Sequence, residues 1–389
     1  PEATAGTCNA EAAAAGVRAP LRRVALSFSD AERATYRSRD ASDSEEDFLL
    51  SVELGEDVGP VPAKAHFRGQ SSFDCSRRNY DVDLDGNRPR QLLPGLASDE
   101  FLLIAMCVDN AYSDQVTANQ LAEQLGLMPY RSQVVELVLD GESRGVYLLM
   151  GKPKEQLRVQ HARLTALLRR ANDAHGTRPD VRFAAPDVDA LALYEAVLDS
   201  AESRSGAEML SALERHVDVD QFLRWVALNS LLGNGDWVDE VWFLATEAHE
   251  APNQAYFGIA AWDMDDLYDD CHFDGVDAMI DPKGLSYCVE GRLERRILSD
   301  PAGYDRYVRV LSEVLTEVTP AEFRAALDHT AEEVLPYFAD PAVRAASVEI
   351  GTPATQAEAE AIILAELSRL EKRFAGRHAA LRHGVDVYR

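Results

Sequence analysis

Residues 133–150 read QVVELVLDGESRGVYLLM, and this stretch decides how the rest of the chain is interpreted. Residues 133–139 and 145–150 are two apolar runs, rich in valine and leucine, of the length that strands have. The dipeptide Asp140-Gly141 lies between them and is a strong signal for a tight turn, because such turns require positive φ angles. The stretch therefore predicts a β-hairpin.

The chain before the hairpin and the chain after it have different patterns. Upstream, strand-like patterning bounded by Gly, Pro or Asp covers residues 22–28, 48–53, 63–69 and 79–84, and helical spacing follows over 99–125. Downstream, helical spacing covers residues 190–201, 220–232, 304–315, 320–335 and 357–381, with strand patterns at 241–245 and 256–262. We therefore predict an α+β fold of two lobes, a β-rich N-terminal lobe over residues 21–151 and a mainly helical C-terminal lobe over 152–389. A cleft between such lobes is a common ligand site.

The overall charge disfavours two classes of partner. Lys and Arg number 39 against 66 Asp and Glu, a formal net charge of −27. Nucleic-acid binding is disfavoured, because its affinity comes largely from cationic neutralisation of phosphates. An anionic membrane surface is disfavoured for the same reason. The apolar runs are too short for an integral membrane segment.

Cysteine usage and the first residues point to an exported protein. Residues 1–20 are small and Ala-rich, and we interpret them as a flexible tether behind a cleaved export signal or a lipid anchor. Five cysteines occur without a CxxC pair. Cys271 and Cys288 flank a polar loop, as a loop-closing disulfide does, and an oxidising compartment permits such a bond. We therefore expect this disulfide and a secreted or cell-surface location.

The first candidate site is a polar loop followed by two arginines. The loop is Arg68-Gly69-Gln70-Ser71-Ser72, and the arginines are Arg77 and Arg78. A tight loop between strands offers backbone N–H groups and hydroxyls to phosphate oxygens, and arginine binds phosphate through two donors at once. The alternative is an ordinary polar turn with surface arginines.

The second candidate is Asp236, in the turn Asn234-Gly235-Asp236 after an apolar helical segment. A carboxylate on a loop after a packed helix can act as a general base or orient a hydroxyl nucleophile. The alternative is a helix C-terminal turn with a capping aspartate.

The third candidate is the segment Trp262-Asp263-Met264-Asp265-Asp266, the start of an acidic stretch that runs to Asp281. Asp263 and Asp265 follow an apolar strand, and two carboxylates at a strand end can share a hard cation such as Mg²⁺ or Mn²⁺. Ca²⁺ is an alternative ion for the acidic stretch. A solvated acidic loop without any ion is the other interpretation.

Taken together, these motifs resemble the CotH kinase family, which has an atypical protein-kinase-like fold. The matching elements, in order, are Arg68–Ser72 with Arg77-Arg78-Asn79-Tyr80, the hairpin with Gly145-Val146-Tyr147-Leu148-Leu149, Asn234-Gly235-Asp236, Trp262-Asp263-Met264-Asp265, and Arg296-Ile297-Leu298 before Pro301. The resemblance spans about residues 63–307, most of the chain.

The resemblance implies ATP-dependent phosphorylation of Ser or Thr in a protein substrate, with Mg²⁺ or Mn²⁺ as the metal. It implies that Asp236 is the catalytic aspartate and that Asp263 and Asp265 bind the metal. Arg77 or Arg78 takes the place of the family's phosphate-facing lysine.

The chain departs from the family pattern at three places. Arg77 and Arg78 replace a lysine pair, Met150-Gly151-Lys152 stands where the family has a glutamate, and the asparagine expected after Asp236 is missing. Asp239 or Glu240 can supply the missing metal oxygen. The alternatives are a pseudokinase acting as an extracellular binding or adhesion module, a Ca²⁺-stabilised surface protein, and nucleotidyl transfer on the same fold.

Overall fold

The computed structural model describes most of the chain. The described residues are 22–38, 46–54, 59–69, 72, 75–86, 90–93, 96–109, 111–127, 130–161, 163–170, 179–238, 240–248, 251–271, 281 and 283–389. Their fold is mixed α+β, as the sequence predicts.

Strands dominate the first part of the chain. They are β1 (Arg23–Phe28), β2 (Phe48–Leu54), β3 (Val61–Arg68), β4 (Asn79–Leu84), β5 (Arg90–Leu93), β6 (Leu96–Ser98), β7 (Glu100–Ile104), β8 (Ser132–Leu139), β9 (Glu142–Gly151), β10 (Leu164–Arg169), β11 (Asp180–Ala184), β12 (Val241–Ala248) and β13 (Ala251–Ala261). Seven of them close into a barrel in the order β1-β2-β3-β4-β7-β9-β8, in which β1 pairs with β8 in parallel. Phe48, Phe67, Val82 and Phe101 fill the barrel interior.

Helices dominate the remainder. They are α1 (Asp30–Ser38), α2 (Asp114–Gln124), α3 (Pro153–Gln160), α4 (Ala190–Glu202), α5 (Gly206–Leu213), α6 (Val219–Leu232), α7 (Arg292–Ser299), α8 (Pro301–Glu317), α9 (Pro320–Val334), α10 (Pro341–Ala346) and α11 (Gln356–Tyr388). Five of these confirm the downstream helices predicted from the sequence. A four-stranded sheet of order β11-β10-β12-β13 lies among them, and β5 and β6 form a small sheet of their own.

The predicted hairpin is confirmed as β8 and β9. Asp140 and Gly141 have φ angles of 51° and 82°, so the turn uses the left-handed region that the Asp-Gly signal indicates. β9 lies between β8 and β7 in the barrel. The hairpin is thus an internal part of the barrel wall.

The helix predicted over residues 99–125 is wrong in its first part, where the chain forms β7 before α2 begins at Asp114. Phe101 and Leu103 face the barrel interior, while Leu102 and Ile104 pack on the opposite side against the larger core. A strand that is buried on both faces has no polar alternation, so its pattern cannot be distinguished from that of a buried helix.

Two disulfides cross-link the fold. Cys271–Cys288 confirms the predicted bond, and Cys75–Cys107 is a second one that the spacing did not indicate. Such bonds persist in oxidising compartments. Within the described part of the chain, no helix is long and apolar enough to cross a membrane. The division into lobes at residue 151 stays a prediction.

Candidate functional site

Two glycines shape the turn that carries Asp236. Helix α6 ends at Gly233, whose φ angle of 57° suits glycine and reverses the chain. At Gly235 a Cβ atom would lie 2.2 Å from the carbonyl oxygen of Asp270, so a side chain does not fit there. The Gly235 amide donates to the carbonyl oxygen of Asp266 at 3.1 Å. These contacts hold Asp236 against the segment that follows β13.

That segment begins at the buried residue Trp262. The Trp262 amide donates to the carbonyl oxygen of Glu240 at 3.0 Å, and its ring packs edge-on against Tyr130 and Trp242. The next residue, Asp263, has a φ angle of 51°, which turns the chain away from the strand direction. The sequence correctly placed Asp263 at the end of a buried strand.

Helix α2 contributes a side chain to the same place. The buried Asp109 carboxylate accepts hydrogen bonds from the backbone amides of Ala111, Ser113, Asp114 and Gln115 and so fixes the start of α2. Burial raises the pKa of Asp109 to about 6. The Gln115 side-chain amide then donates to Asp263 Oδ1 at 3.2 Å.

Five carboxylates meet here, and we call them the acidic cluster: Asp236, Glu240, Asp263, Asp265 and Asp266. One carboxylate oxygen from each of Glu240, Asp265 and Asp266 lies within 4.8 Å of the others. Glu240 is buried and accepts a hydrogen bond from Asn234 Nδ2 at 2.6 Å. The same Asn234 accepts a bond from the Asp236 amide through its Oδ1 at 3.1 Å, so one amide side chain orients both acids.

The acidic cluster is electrostatically unfavourable as it stands. Removal from water raises the pKa of Asp265 well above its usual value, and the charges of Asp263 and Asp266 raise it further. Burial likewise raises the pKa of Glu240, with Asp265 and Asp236 as the strongest neighbouring charges. A divalent cation would relieve this repulsion, and carboxylate oxygens are the ligands that Mg²⁺, Mn²⁺ and Ca²⁺ prefer. The donor set therefore fits the metal predicted from the sequence.

Two arginines lie beside the acidic cluster. The guanidinium groups of Arg68 and Arg169 lie 5.6 Å and 5.9 Å from the centre of the Trp262 ring. Burial lowers the pKa of Arg68, the Asp263 charge opposes that shift, and the group stays protonated. No hydrogen bond or ion pair engages the Arg68 guanidinium among the residues that the structure describes. Among the described residues, this half-buried cation therefore has no polar partner that would compete with an anion.

Arg77 is placed quite differently. Its guanidinium pairs with Glu349 at 2.8 Å and donates to the carbonyl oxygens of Arg144, Val146 and Ala105. All three of its nitrogen atoms thereby bind protein acceptors. In this structure Arg77 links the barrel to the chain that follows α10.

Of the remaining residues that the sequence predicts to bind phosphate, the structure describes Ser72 and Arg78. Ser72 accepts a hydrogen bond from Asn79 through its hydroxyl at 3.0 Å, whereas Gln70 and Ser71 lie outside the described residues. Arg78 lines a cavity with Arg77 and Arg144, and none of the acidic cluster lines that cavity.

Several residues of the site did not emerge from the sequence as site residues. Asp266 belongs to the acidic segment Trp262–Asp266, but the sequence gave it no role as a ligand. Glu240 was predicted to bind the metal only as an alternative to Asp239. Asp239 lies outside the described residues. Arg169 and Gln115 gave no local signal, because each is remote in sequence from the other members of the site.

The protein is thus a mixed α+β fold in which a cluster of carboxylates lies beside an arginine that has no acceptor among the described residues. The profile of the family described as "CotH kinase protein" matches residues 65–368, which is most of the chain. The chain therefore belongs to the CotH kinase family, and this membership indicates a kinase-like enzyme. A comparison with curated protein sequences gives no match.

Proposed function

We propose that this protein transfers the terminal phosphoryl group of ATP to a Ser or Thr hydroxyl of a protein substrate. The observation that carries the proposal is the meeting of Glu240, Asp265 and Asp266 within 4.8 Å, next to the available guanidinium of Arg68. Phosphoryl transfer needs this combination of metal ligands and cationic groups around the phosphates. A two-lobed, kinase-like arrangement of the barrel and the helices belongs to the same proposal.

The members of the acidic cluster are proposed to have different roles according to their positions. Glu240, Asp265 and Asp266 would hold Mg²⁺ or Mn²⁺, with Asp263 beside them fixed by Gln115. The bound metal would neutralise charge on the phosphate oxygens. The protein places these carboxylates at the end of β13 and the start of β12, so two adjacent strands set their separation.

Arg68 and Arg169 form the cationic side of the proposed site. Both guanidinium groups face the same Trp262 ring, so they are held close together although their charges repel. A bound triphosphate would lie between two cations of fixed direction. Arg68 and Arg169 thereby take the role for which the sequence nominated Arg77 or Arg78.

Asp236 is proposed to orient the acceptor hydroxyl. It is half-buried in a turn that Asn234 and Gly235 fix from two sides, and its charge acts on both Glu240 and Asp265. A carboxylate held this close to the metal ligands can accept the hydrogen bond of an incoming hydroxyl and align it for attack.

Transfer of labelled phosphate from ATP to a mixture of Ser- and Thr-containing peptides tests the proposal. Asp265→Asn should lose both metal-dependent ATP binding and transfer, whereas Asp236→Asn should retain binding and lose transfer. Asp328→Asn, an exposed aspartate on α9, serves as the control and should behave as wild type. Full transfer by Asp236→Asn would reject its assigned role.

The same experiment separates the alternatives. ATP binding without transfer by the wild type would make the protein a binding module. With ATP labelled at its α-phosphate instead, labelled peptide and release of pyrophosphate would show nucleotidyl transfer. Stabilisation by Ca²⁺ alone, with no ATP binding, would leave only a structural metal site. The two disulfides support a secreted or cell-surface location for the activity.

A further inference from the structure

The second half of helix α11 lies beyond the segment that matches the CotH kinase family, from residue 369 to Tyr388. Its apolar side is buried, and the Phe374 ring stacks on that of Phe323 in α9 with the ring centres 4.0 Å apart. This packing fixes how the helix is rotated about its axis. Arg373 and Arg377 are four residues apart, so their side chains leave α11 on the same side.

Arg377 binds the C-terminal end of α6. The last carbonyl groups of a helix have no partner within the helix and need one from elsewhere. In α6 the carbonyl oxygen of Ser230 accepts from Arg377 Nε at 3.0 Å, and that of Leu232 accepts from the Tyr268 amide at 3.1 Å. A cation at this end is also favoured by the helix dipole. The turn that carries Asp236 follows directly, so Arg377 holds the helix end from which that turn begins.

Arg373 binds the other strand of the site, the segment that follows β13. Its Nη1 donates to the carbonyl oxygen of Tyr268 at 2.7 Å, two residues after Asp266. Tyr268 has a φ angle of 60°, a left-handed conformation that a tyrosine keeps only where its surroundings enforce it. Its amide is held by the Leu232 carbonyl and its carbonyl by Arg373. The two contacts together enforce the bend.

Tyr287 adds a second connection between Arg377 and the same segment. The Arg377 guanidinium lies 5.7 Å from the centre of the Tyr287 ring. The Tyr287 hydroxyl donates to the carbonyl oxygen of Asp269 at 2.6 Å, and its amide donates to Ser230 Oγ at 3.2 Å. Tyr287 therefore bridges the end of α6 and the acidic segment, and Arg377 packs on this bridge.

We propose that Arg373 and Arg377 are positioning residues of the candidate metal site. Arg373 holds the segment with Asp265 and Asp266, and Arg377 holds the helix end before Asp236. Because both side chains come from one helix, α11 sets the separation of the two groups of carboxylates. Neither arginine is a ligand of the metal or of the nucleotide. The inference rests on the metal site of the proposed function.

Titration with Mn²⁺ in the absence of nucleotide tests this role. Arg373→Met and Arg377→Met should each weaken Mn²⁺ binding about tenfold, the lower end of the range for groups that orient metal ligands. Arg373→Lys should recover most of the affinity, because an ammonium group still donates to a carbonyl oxygen. Arg382→Met is the matched control and should bind as wild type. Arg382 lies on the same helix and donates to the carbonyl oxygen of Leu315 at 3.5 Å, on α8.

Hydrogen exchange of the metal-free protein gives a readout that needs neither metal nor activity. The Gly235 amide donates to the Asp266 carbonyl, and the Tyr268 amide donates to that of Leu232. Both amides should exchange faster in Arg373→Met and in Arg377→Met, because the two segments are less firmly held together. The amides of α9 should exchange as in wild type, which distinguishes a local effect from a general loss of stability. Thermal melting shows whether each variant is folded.

The outcomes separate this inference from the proposed function. Wild-type protein that binds no Mn²⁺ would reject the metal site itself, and the positioning role with it. Mn²⁺ binding by the wild type together with unchanged affinity in Arg373→Met and Arg377→Met would overturn the positioning role alone. An equal loss of affinity in Arg382→Met, or no rescue by Arg373→Lys, would also overturn it, because the effect would then not depend on the two carbonyl contacts.

Discussion

Two buried charged regions of this protein differ in whether opposite charges compensate each other. In the first, which we call the Arg77 centre, Arg77 pairs with Glu349, and Glu349 also accepts a bond from the Tyr112 hydroxyl at 2.7 Å. Tyr112 and Tyr147 lie under the Arg77 guanidinium, with ring centres at 5.2 Å and 5.0 Å. In the second, the acidic cluster, five carboxylates share one site.

The difference separates a structural role from a functional one. A buried charge whose partners are all present stabilises the arrangement it is part of and has no capacity for a ligand. A set of like charges held together by strands and turns is unfavourable until an external ion completes it. The Arg77 centre therefore joins parts of the fold, and the acidic cluster is suited to a cation.

The largest effect is expected on breaking the Arg77 centre. Arg77→Met should lower the free energy of unfolding by about 3–5 kcal/mol, because Glu349 is left buried without its cation. Urea unfolding measures this change, and Arg158→Met, an exposed arginine, is the control. A loss of less than about 1 kcal/mol, the scale of a surface pair, would show that the two regions are not different in kind.

Removing the Cys271–Cys288 bond should have the next largest effect. The bond joins residues 17 apart and tethers the end of the segment that carries Asp263, Asp265 and Asp266. Cys271→Ala combined with Cys288→Ala should lower the free energy of unfolding by about 3 kcal/mol, the value for a loop of roughly this length. Metal affinity should fall as well, because the segment is less restrained. Unchanged unfolding in non-reducing buffer would contradict the expectation.

Arg68 should affect binding and leave stability unchanged. Because its guanidinium has no acceptor among the described residues, Arg68→Met should weaken binding of metal-bound ATP by about 1.5–3 kcal/mol. The free energy of unfolding should stay within about 0.5 kcal/mol of wild type. Calorimetry and urea unfolding of the same sample test both halves. A destabilised Arg68→Met with normal ATP affinity would exchange the roles of Arg68 and Arg77.

The smallest effect concerns pH. The pKa values of Asp265 and Glu240 are raised in the folded protein, so the folded state binds their protons more tightly than the unfolded state. Their contribution to stability is complete below the unfolded pKa, near 4, and is lost as pH rises through the folded pKa.

Without metal, Asp265→Asn should therefore become more stable relative to wild type as pH rises from 5 to 8, by about 1.4 kcal/mol for each unit of pKa shift removed. Saturating Mg²⁺ should reduce this difference, because the cation takes the place of the protons. Asp328→Asn, the exposed control, should keep the wild-type pH dependence. A difference between Asp265→Asn and wild type that does not change with pH would contradict the charge repulsion described here.

Local patterns in the sequence were sufficient for much of the fold. The hairpin was predictable because the dipeptide Asp140-Gly141 favours the positive φ angles of a tight turn. Helix α6 was predictable because its apolar spacing stops before Gly233. β7 was not predictable, since a strand buried on both faces has no alternation. The β1–β8 pairing that closes the barrel joins strands more than a hundred residues apart, and no local pattern specifies it.

Prediction of the candidate site was limited in the same way, because local patterns do not specify contacts between distant residues. The sequence by itself determined the residue types at the ends of strands and helices, and so named Asp236, Asp263, Asp265 and Arg68. Only the tertiary structure decided which charges are compensated. Folding buries Arg77 against Glu349, which is 272 positions away in the sequence. It also brings Arg169 to the Trp262 ring that Arg68 faces. Whether a charge is available to a ligand depends on partners brought together by folding, and local spacing carries no information about them.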